Sequence, residues 1–161
     1  MIKEFNLLFI TFFKIGKIKF APGTIASLIT CLLFLFFLNF FNMVNLFFGT
    51  LLIALYSFVA INNSFNSFNS KDPQEIVIDE VVGQMLPLLA IPIYEILYIA
   101  PKGYYCIASF VMFRLFDIWK PFPINYIDIN TEGSLGIMLD DILAGIYTFI
   151  ILIIIFFFIG A

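Results

Sequence analysis

The chain has 161 residues, of which 63% are hydrophobic and 12% charged, with a mean hydropathy of +1.09 and a net charge of −3. Soluble domains carry about 45–50% apolar and about 25% charged residues, so a soluble core and a disordered chain both fit poorly. The acidic balance argues against nucleic acid as a partner. The expected class is all-α, a multi-span helical membrane protein with about 4–5 membrane segments in a single domain over residues 1–161.

Residues 5–13 form a short apolar run followed by Lys14, Lys17 and Lys19. Lysines stand where a cleavage site would lie, so an interfacial helix with a basic collar is expected rather than a cleavable signal. Spans need roughly 17–25 mostly apolar residues, and 25–41 and 43–61 make a tight hairpin of two. The Asn- and Ser-rich stretch 62–70 reads as a loop. Asp72-Pro73-Gln74-Glu75 carries an N-cap acid, a proline at the first helical position and Glu in the capping-box place, which predicts a helix start there. That helix runs through Asp79-Glu80 into 81–99, with Pro87 and Pro92 expected to kink or interrupt it. Residues 104–119 form a returning segment stopped by Lys120-Pro121-Phe122-Pro123; 125–136 reads as a loop, and 137–159 as the last span.

The N-terminal lysines orient the chain by the positive-inside rule, with its N-terminus in the cytoplasm. Alternation through five spans then brings three polar groups to one membrane face: Asp79-Glu80, Arg114–Asp117–Lys120 and Asp140-Asp141. Acids leading directly into hydrocarbon are costly and usually functional. On a helix from Asp72, the residues Asp72, Glu75, Asp79 and Gly83 share one stripe. The mutual repulsion of its acids is relieved by solvent, by protonation or by a hard cation such as Mg²⁺. Asp79-Glu80-Val81-Val82-Gly83 and Asp140-Asp141-Ile142-Leu143-Ala144-Gly145 share a design: an acidic pair, two aliphatics, then small residues that let two helices approach.

Arg114, Asp117 and Lys120 are spaced by three on one helical stripe. They read either as an interfacial ion-pair ladder or as two phosphate clamps with Asp117 as metal ligand or base. Ala21-Pro22-Gly23-Thr24, with Ser27, opens the first span. Thr24 either caps that helix or belongs to a phosphate cradle of free backbone N–H groups.

The chain contains 0 histidines, which excludes imidazole base catalysis, phosphohistidine chemistry and His-ligated zinc. Cys31 and Cys106 lie within apolar runs and read as small buried hydrophobes rather than a zinc site or a disulfide. Cys106 stands eight positions before Arg114, too far for a cysteine phosphatase signature, and Asp128-Ile129-Asn130 lacks the second acid of an Asp-x-Asp nucleophile motif. For a chain that hydrolyses a phosphate ester, the activity implied by the resemblance given next, metal assistance is the route that survives, with Asp79, Glu80, Asp140 and Asp141 expected as metal ligands, Asp117 completing the shell or acting as base, and Arg114 and Lys120 neutralising phosphate.

Four motifs occur in order: Ala21-Pro22-Gly23-Thr24 with Ser27; Lys71-Asp72-Pro73 leading to 76–84; Phe113-Arg114-Leu115-Phe116-Asp117 with Lys120-Pro121 and Pro123; and 136–141 with Ala144-Gly145. Together they resemble the phosphatidylglycerophosphatase A family over roughly residues 15–147. Family members often carry glycine where this chain has Ala26. The resemblance implies a Mg²⁺-dependent, all-helical phosphatase of the bacterial inner membrane that converts phosphatidylglycerophosphate to phosphatidylglycerol. Its site would face the cytoplasm, with Thr24, Ser27, Arg114 and Lys120 binding substrate. A small transporter or channel subunit, or a phosphatase of another lipid phosphate, are the competing readings.

Overall fold

In a largely apolar chain, helix boundaries are set by prolines, glycines and left-handed residues rather than by loss of hydrophobicity. The computed structural model describes residues 2–64, 68, 73–97 and 101–160, with 96, 97, 159 and 160 described by backbone alone. Every regular element among them is helical: α1 (Ile2–Ile10), a 3-10 turn (Ile15–Lys17), α2 (Pro22–Phe37), α3 (Met43–Ser64), α4 (Ile78–Leu88), α5 (Ile91–Leu97), α6 (Lys102–Trp119), α7 (Ile124–Asn130) and α8 (Gly133–Gly160). Pro22 stands at the start of α2, where its missing N–H costs nothing. Lys120 ends α6 in the left-handed conformation (φ 45°), with Pro121 directly after it.

Helix α4 is the hub. It packs most extensively on α8, then on α2, and also on α3 and α6. Accordingly Ile78, Asp79, Val81, Val82, Gly83, Gln84, Pro87 and Leu88 are all buried, as expected of a helix surrounded on every side. Its approach to α8 is backbone to backbone. Pro87 has no N–H to offer the Gly83 carbonyl one turn earlier. Gly145 packs against that carbonyl, and a Cβ built on Gly145 would overlap it. The close approach expected of Gly83 and Ala144, with help from Gly145, thus comes from the two glycines. Ala144 instead lies in a separate cluster with Phe113, Phe116 and Ile124, on the α6–α7 side.

Several boundaries differ from the sequence reading. The helix expected from Asp72 begins at Ile78, and Asp72 itself lies outside the described residues. Pro73 accepts a turn hydrogen bond from Ile76 N–H at 2.9 Å, and Val77 N–H donates to the Ile10 carbonyl at the end of α1 (3.0 Å). These bonds commit the 73–77 backbone to a turn and to α1, so Glu75 lies outside the helix that carries Asp79, and Glu75 is exposed. The supposed loop 125–136 contains α7, which at seven residues is too short to be stable alone and depends on packing against α8 and on the fully buried Ile124. Helix α8 starts four residues before 137, and α3 continues through Ser64 into the stretch read as loop; the rest of that stretch, apart from Phe68, lies outside the described residues. The interruption expected from Pro87 and Pro92 is present: α4 ends at Leu88 and α5 begins at Ile91.

Among the described residues two helices are long and apolar enough to cross a membrane, Met43–Ser64 and Gly133–Phe158, and only 28% of each apolar window is buried within the protein. Phe47, Phe48, Leu52, Leu55 and Val59 of α3 are more than half exposed, an apolar surface that water does not favour. Cys31 and Cys106 are both free and buried, as read from the sequence.

Candidate active site

The first turn of α4, the start of α2, the last turns of α6 and the third turn of α8 converge on one cavity of about 450 Å³. Its wall includes Thr24, Asp79, Glu80, Arg114, Asp117, Lys120, Asp140 and Asp141. Gly23 permits this convergence, because a Cβ there would overlap Glu80 Oε1 and stand 3.3 Å from Arg114 Nη1. Gly83, a helical turn below Asp79, has the same role: a Cβ there would lie 2.6 Å from the Asp141 carbonyl oxygen and 2.7 Å from the Phe113 ring.

Carboxylate oxygens of Asp79, Glu80 and Asp141 lie within 4.8 Å of one another. Asp79 Oδ1 and Glu80 Oε2 are buried, with no hydrogen-bond partner among the described residues. Both acids stand at the head of α4, ahead of its apolar stretch. Burial, reinforced by Glu80 and Asp140, pushes the Asp79 carboxyl well above its usual range. Burial likewise raises Glu80, to about 7, against the pull of Arg114. Buried acids crowded this closely resist ionising together unless a counter-charge is present. Oxygen-only ligands with unpartnered buried oxygens fit a hard divalent cation.

The cations are held opposite. Arg114 Nη1 lies 2.6 Å from Asp117 Oδ2, one helical turn along α6, and 3.7 Å from Glu80 Oε1. Its Nε and Nη1 are buried and make no directed hydrogen bond among the described residues, so the guanidinium is anchored by charge. Lys120 does not continue an Arg114–Asp117–Lys120 ladder. Its left-handed backbone sends Nζ between Asp128 Oδ1 and Asp140 Oδ2, both at 2.7 Å. Burial works against the Lys120 charge, but the two carboxylates outweigh it and its pKa rises. Ala21, the residue before α2, is also left-handed (φ 45°) and lines the same cavity. Such non-glycine conformations persist where surrounding contacts over-determine them, commonly at functional sites.

The sequence model of the Phosphatidylglycerophosphatase A family matches residues 8–156. The chain belongs to the phosphatidylglycerophosphatase A family. It is 35% identical over 139 residues to a phosphatidylglycerophosphatase A of Haemophilus influenzae, covering 86% of this chain and 81% of the relative. Over 75 residues it is 43% identical to the Escherichia coli phosphatidylglycerophosphatase A, covering 47% of this chain and 40% of that protein. A Bacteroides thetaiotaomicron protein provisionally named phosphatidylinositol-3-phosphatase is 37% identical over 145 residues, 88% of this chain and 87% of its own. No solved structure matches the chain. Membership in this family makes the chain an enzyme, a phosphoric monoester hydrolase.

Within this phosphatidylglycerophosphatase A family chain, eight of the nine residues singled out from the sequence line one cavity. Ser27 is the ninth. It is fully buried and donates to the Gly23 carbonyl at 2.9 Å, inside its own helix. Thr24 is the third residue of α2, so it does not cap the helix, whose N-cap is Ala21. Asp140 differs from the other acids: Lys120 engages it, and its Oδ1 accepts the Asp141 backbone N–H at 3.0 Å. Asp128 was not anticipated as a member of this head. It lies on α7, an element the sequence pattern did not disclose, although its spacing of eight from Lys120 was available.

Proposed function

We propose that the chain removes the terminal phosphate of phosphatidylglycerophosphate, giving phosphatidylglycerol and inorganic phosphate, at the cytoplasmic face of a bacterial inner membrane. The supporting observation is a cavity in which three mutually close carboxylates, two of them with unpartnered buried oxygens, face two anchored cations. The names of two relatives support the substrate. The apolar exteriors of α3 and α8 support a multi-pass embedding in which the remaining long helices also lie within the bilayer.

Asp79, Glu80 and Asp141 would hold Mg²⁺. When bound, the ion draws charge from the phosphoryl oxygens and makes water a better nucleophile near neutral pH. Arg114 presents undirected N–H donors to the phosphate, and Lys120 adds a point charge. Asp117 and Asp140 hold these two cations in place, so that both meet the charge developing as water displaces the glycerol oxygen at phosphorus. In the overall reaction the phosphorus–oxygen bond to glycerol breaks and the freed glycerol oxygen takes up a proton. Thr24 adds a hydroxyl at the α2 start, while Ser27 supports the helix that carries it.

The relative named as a phosphatidylinositol-3-phosphatase favours a second reading, in which the same chemistry acts on another lipid phosphate. The test is phosphate release by the detergent-purified chain from phosphatidylglycerophosphate, phosphatidylinositol 3-phosphate and phosphatidic acid, with Mg²⁺ and with chelator. Mg²⁺-dependent release chiefly from phosphatidylglycerophosphate is expected. Preference for the inositol lipid would replace the substrate and keep the mechanism; chelator-resistant release would overturn the metal assignment.

A further inference from the structure

The cavity wall extends beyond the groups that a phosphomonoester needs and includes a third cation, Lys19. Ala21, Pro22, Pro73 and Gln74 line it as well. A second cavity of about 270 Å³ shares Lys19, Pro22 and Gln74 and adds Lys17, so the two cavities adjoin at the basic segment before α2. That segment is fixed to the head of the bundle: a Cβ on Gly16 would overlap the Glu75 carbonyl, and the α1 terminus is bonded to Val77. Arg114 and Lys120 are each engaged by carboxylates, whereas Lys19 is exposed and in no ion pair among the described residues. Glu75, which an anion would avoid, lines the outer cavity but not the inner one.

We infer that Lys19, sharing the rim with Gln74, forms a second anion subsite that takes the phosphodiester of a substrate whose terminal phosphate lies at Arg114 and Lys120. The inference rests on the proposed substrate. Phosphatidylglycerophosphate carries two phosphates joined through a three-carbon glycerol bridge, whereas phosphatidic acid carries one. A third cation in the same cavity, carried on a different segment from Arg114 and Lys120, discriminates between them by the number of phosphates that are met. Lys19 is therefore a specificity residue, and the phosphomonoester clamp is separate from it.

The two products separate the two subsites experimentally. Inorganic phosphate reports the terminal clamp, and phosphatidylglycerol, which keeps only the diester, reports the Lys19 end. With the full chain, Mg²⁺ and phosphatidylglycerophosphate in neutral detergent micelles, Lys19→Ala is expected to raise KM roughly fivefold, the scale of one exposed charge contact, with kcat within about twofold. Inhibition by phosphatidylglycerol should weaken in parallel, inhibition by inorganic phosphate should be unchanged, and Lys19→Arg should restore KM. An unchanged KM, a fall in kcat instead, or a parallel loss of inhibition by inorganic phosphate would each overturn the inference. So would an effect confined to vesicles of anionic lipid and absent from neutral micelles, since that result would make Lys19 a membrane-surface contact. Failure of the wild-type chain to act on phosphatidylglycerophosphate would sink the underlying reading; wild-type turnover with an indistinguishable Lys19→Ala would sink this inference alone.

Discussion

Gly23→Ala asks whether the start of α2 belongs to the catalytic head or merely packs behind it. The added methyl would overlap Glu80 Oε1 and come within 3.3 Å of Arg114 Nη1, and both are side-chain atoms, so no helix has to shift. Swinging the Glu80 carboxylate aside costs about 0.5–1.5 kcal/mol for a displaced rotamer. For a chain of this length that amounts to a fall in Tm of roughly 1–6 °C. The catalytic cost is larger, because Glu80 is both a candidate cation ligand and the 3.7 Å neighbour of Arg114. Misplacing such a group by about 1 Å lowers turnover by about 10²-fold. The assay is phosphate release at saturating lipid, with thermal unfolding recorded on the same detergent-purified sample. Wild-type turnover in a folded Gly23→Ala protein would refute the reasoning. A collapse of Tm would refute it too, by showing that the contact bears on the fold rather than on the site.

Gly145→Ala should behave in the opposite way. Its methyl would meet the Gly83 carbonyl, a backbone atom with no rotamer to change, so α4 and α8 must separate, at about 1–3 kcal/mol. A Tm equal to that of the wild type would remove the case for backbone contact at this crossing. Saturating Mg²⁺, at about 100-fold over its Kd, should stabilise the wild-type chain by roughly 2.7 kcal/mol and leave Asp141→Asn almost unmoved. Undiminished stabilisation of that variant would place the cation elsewhere. Asp128→Asn removes a partner that is 41% exposed, while Lys120 keeps Asp140, so the loss should stay below about 1 kcal/mol, or fivefold in kcat/KM. Lys120→Met should cost far more, and equal losses in the two variants would make Asp128 as important as the lysine it holds.

Much of the site was legible because charge is conspicuous in an apolar chain. Asp79-Glu80, Arg114, Asp117, Lys120 and Asp140-Asp141 stand out at the ends of hydrophobic runs, where an unpaired charge carries a high cost. The small residues beneath the acidic pairs likewise announced a close helix crossing. Reading which partner each charge takes was beyond periodicity. The i, i+3 spacing suggested a ladder through Lys120, but a left-handed residue at the α6 terminus turned that side chain toward α7 and α8.

Composition and local pattern by themselves determined an all-helical, largely apolar chain, its proline break at 87–92 and the residue types from which a phosphate site could be built. These properties depend on each residue and its near neighbours. Tertiary structure alone decided that α4 begins at Ile78 rather than at Asp72, because the 73–77 backbone is bonded to its own turn and to the end of α1. It also decided that α7 exists, that Asp79, Glu80 and Asp141 form the close group while Asp140 goes to Lys120, and that Gly23 gives Glu80 and Arg114 room. Each of these outcomes depends on the distance between segments remote in sequence, and that distance is set by how tightly the helices pack.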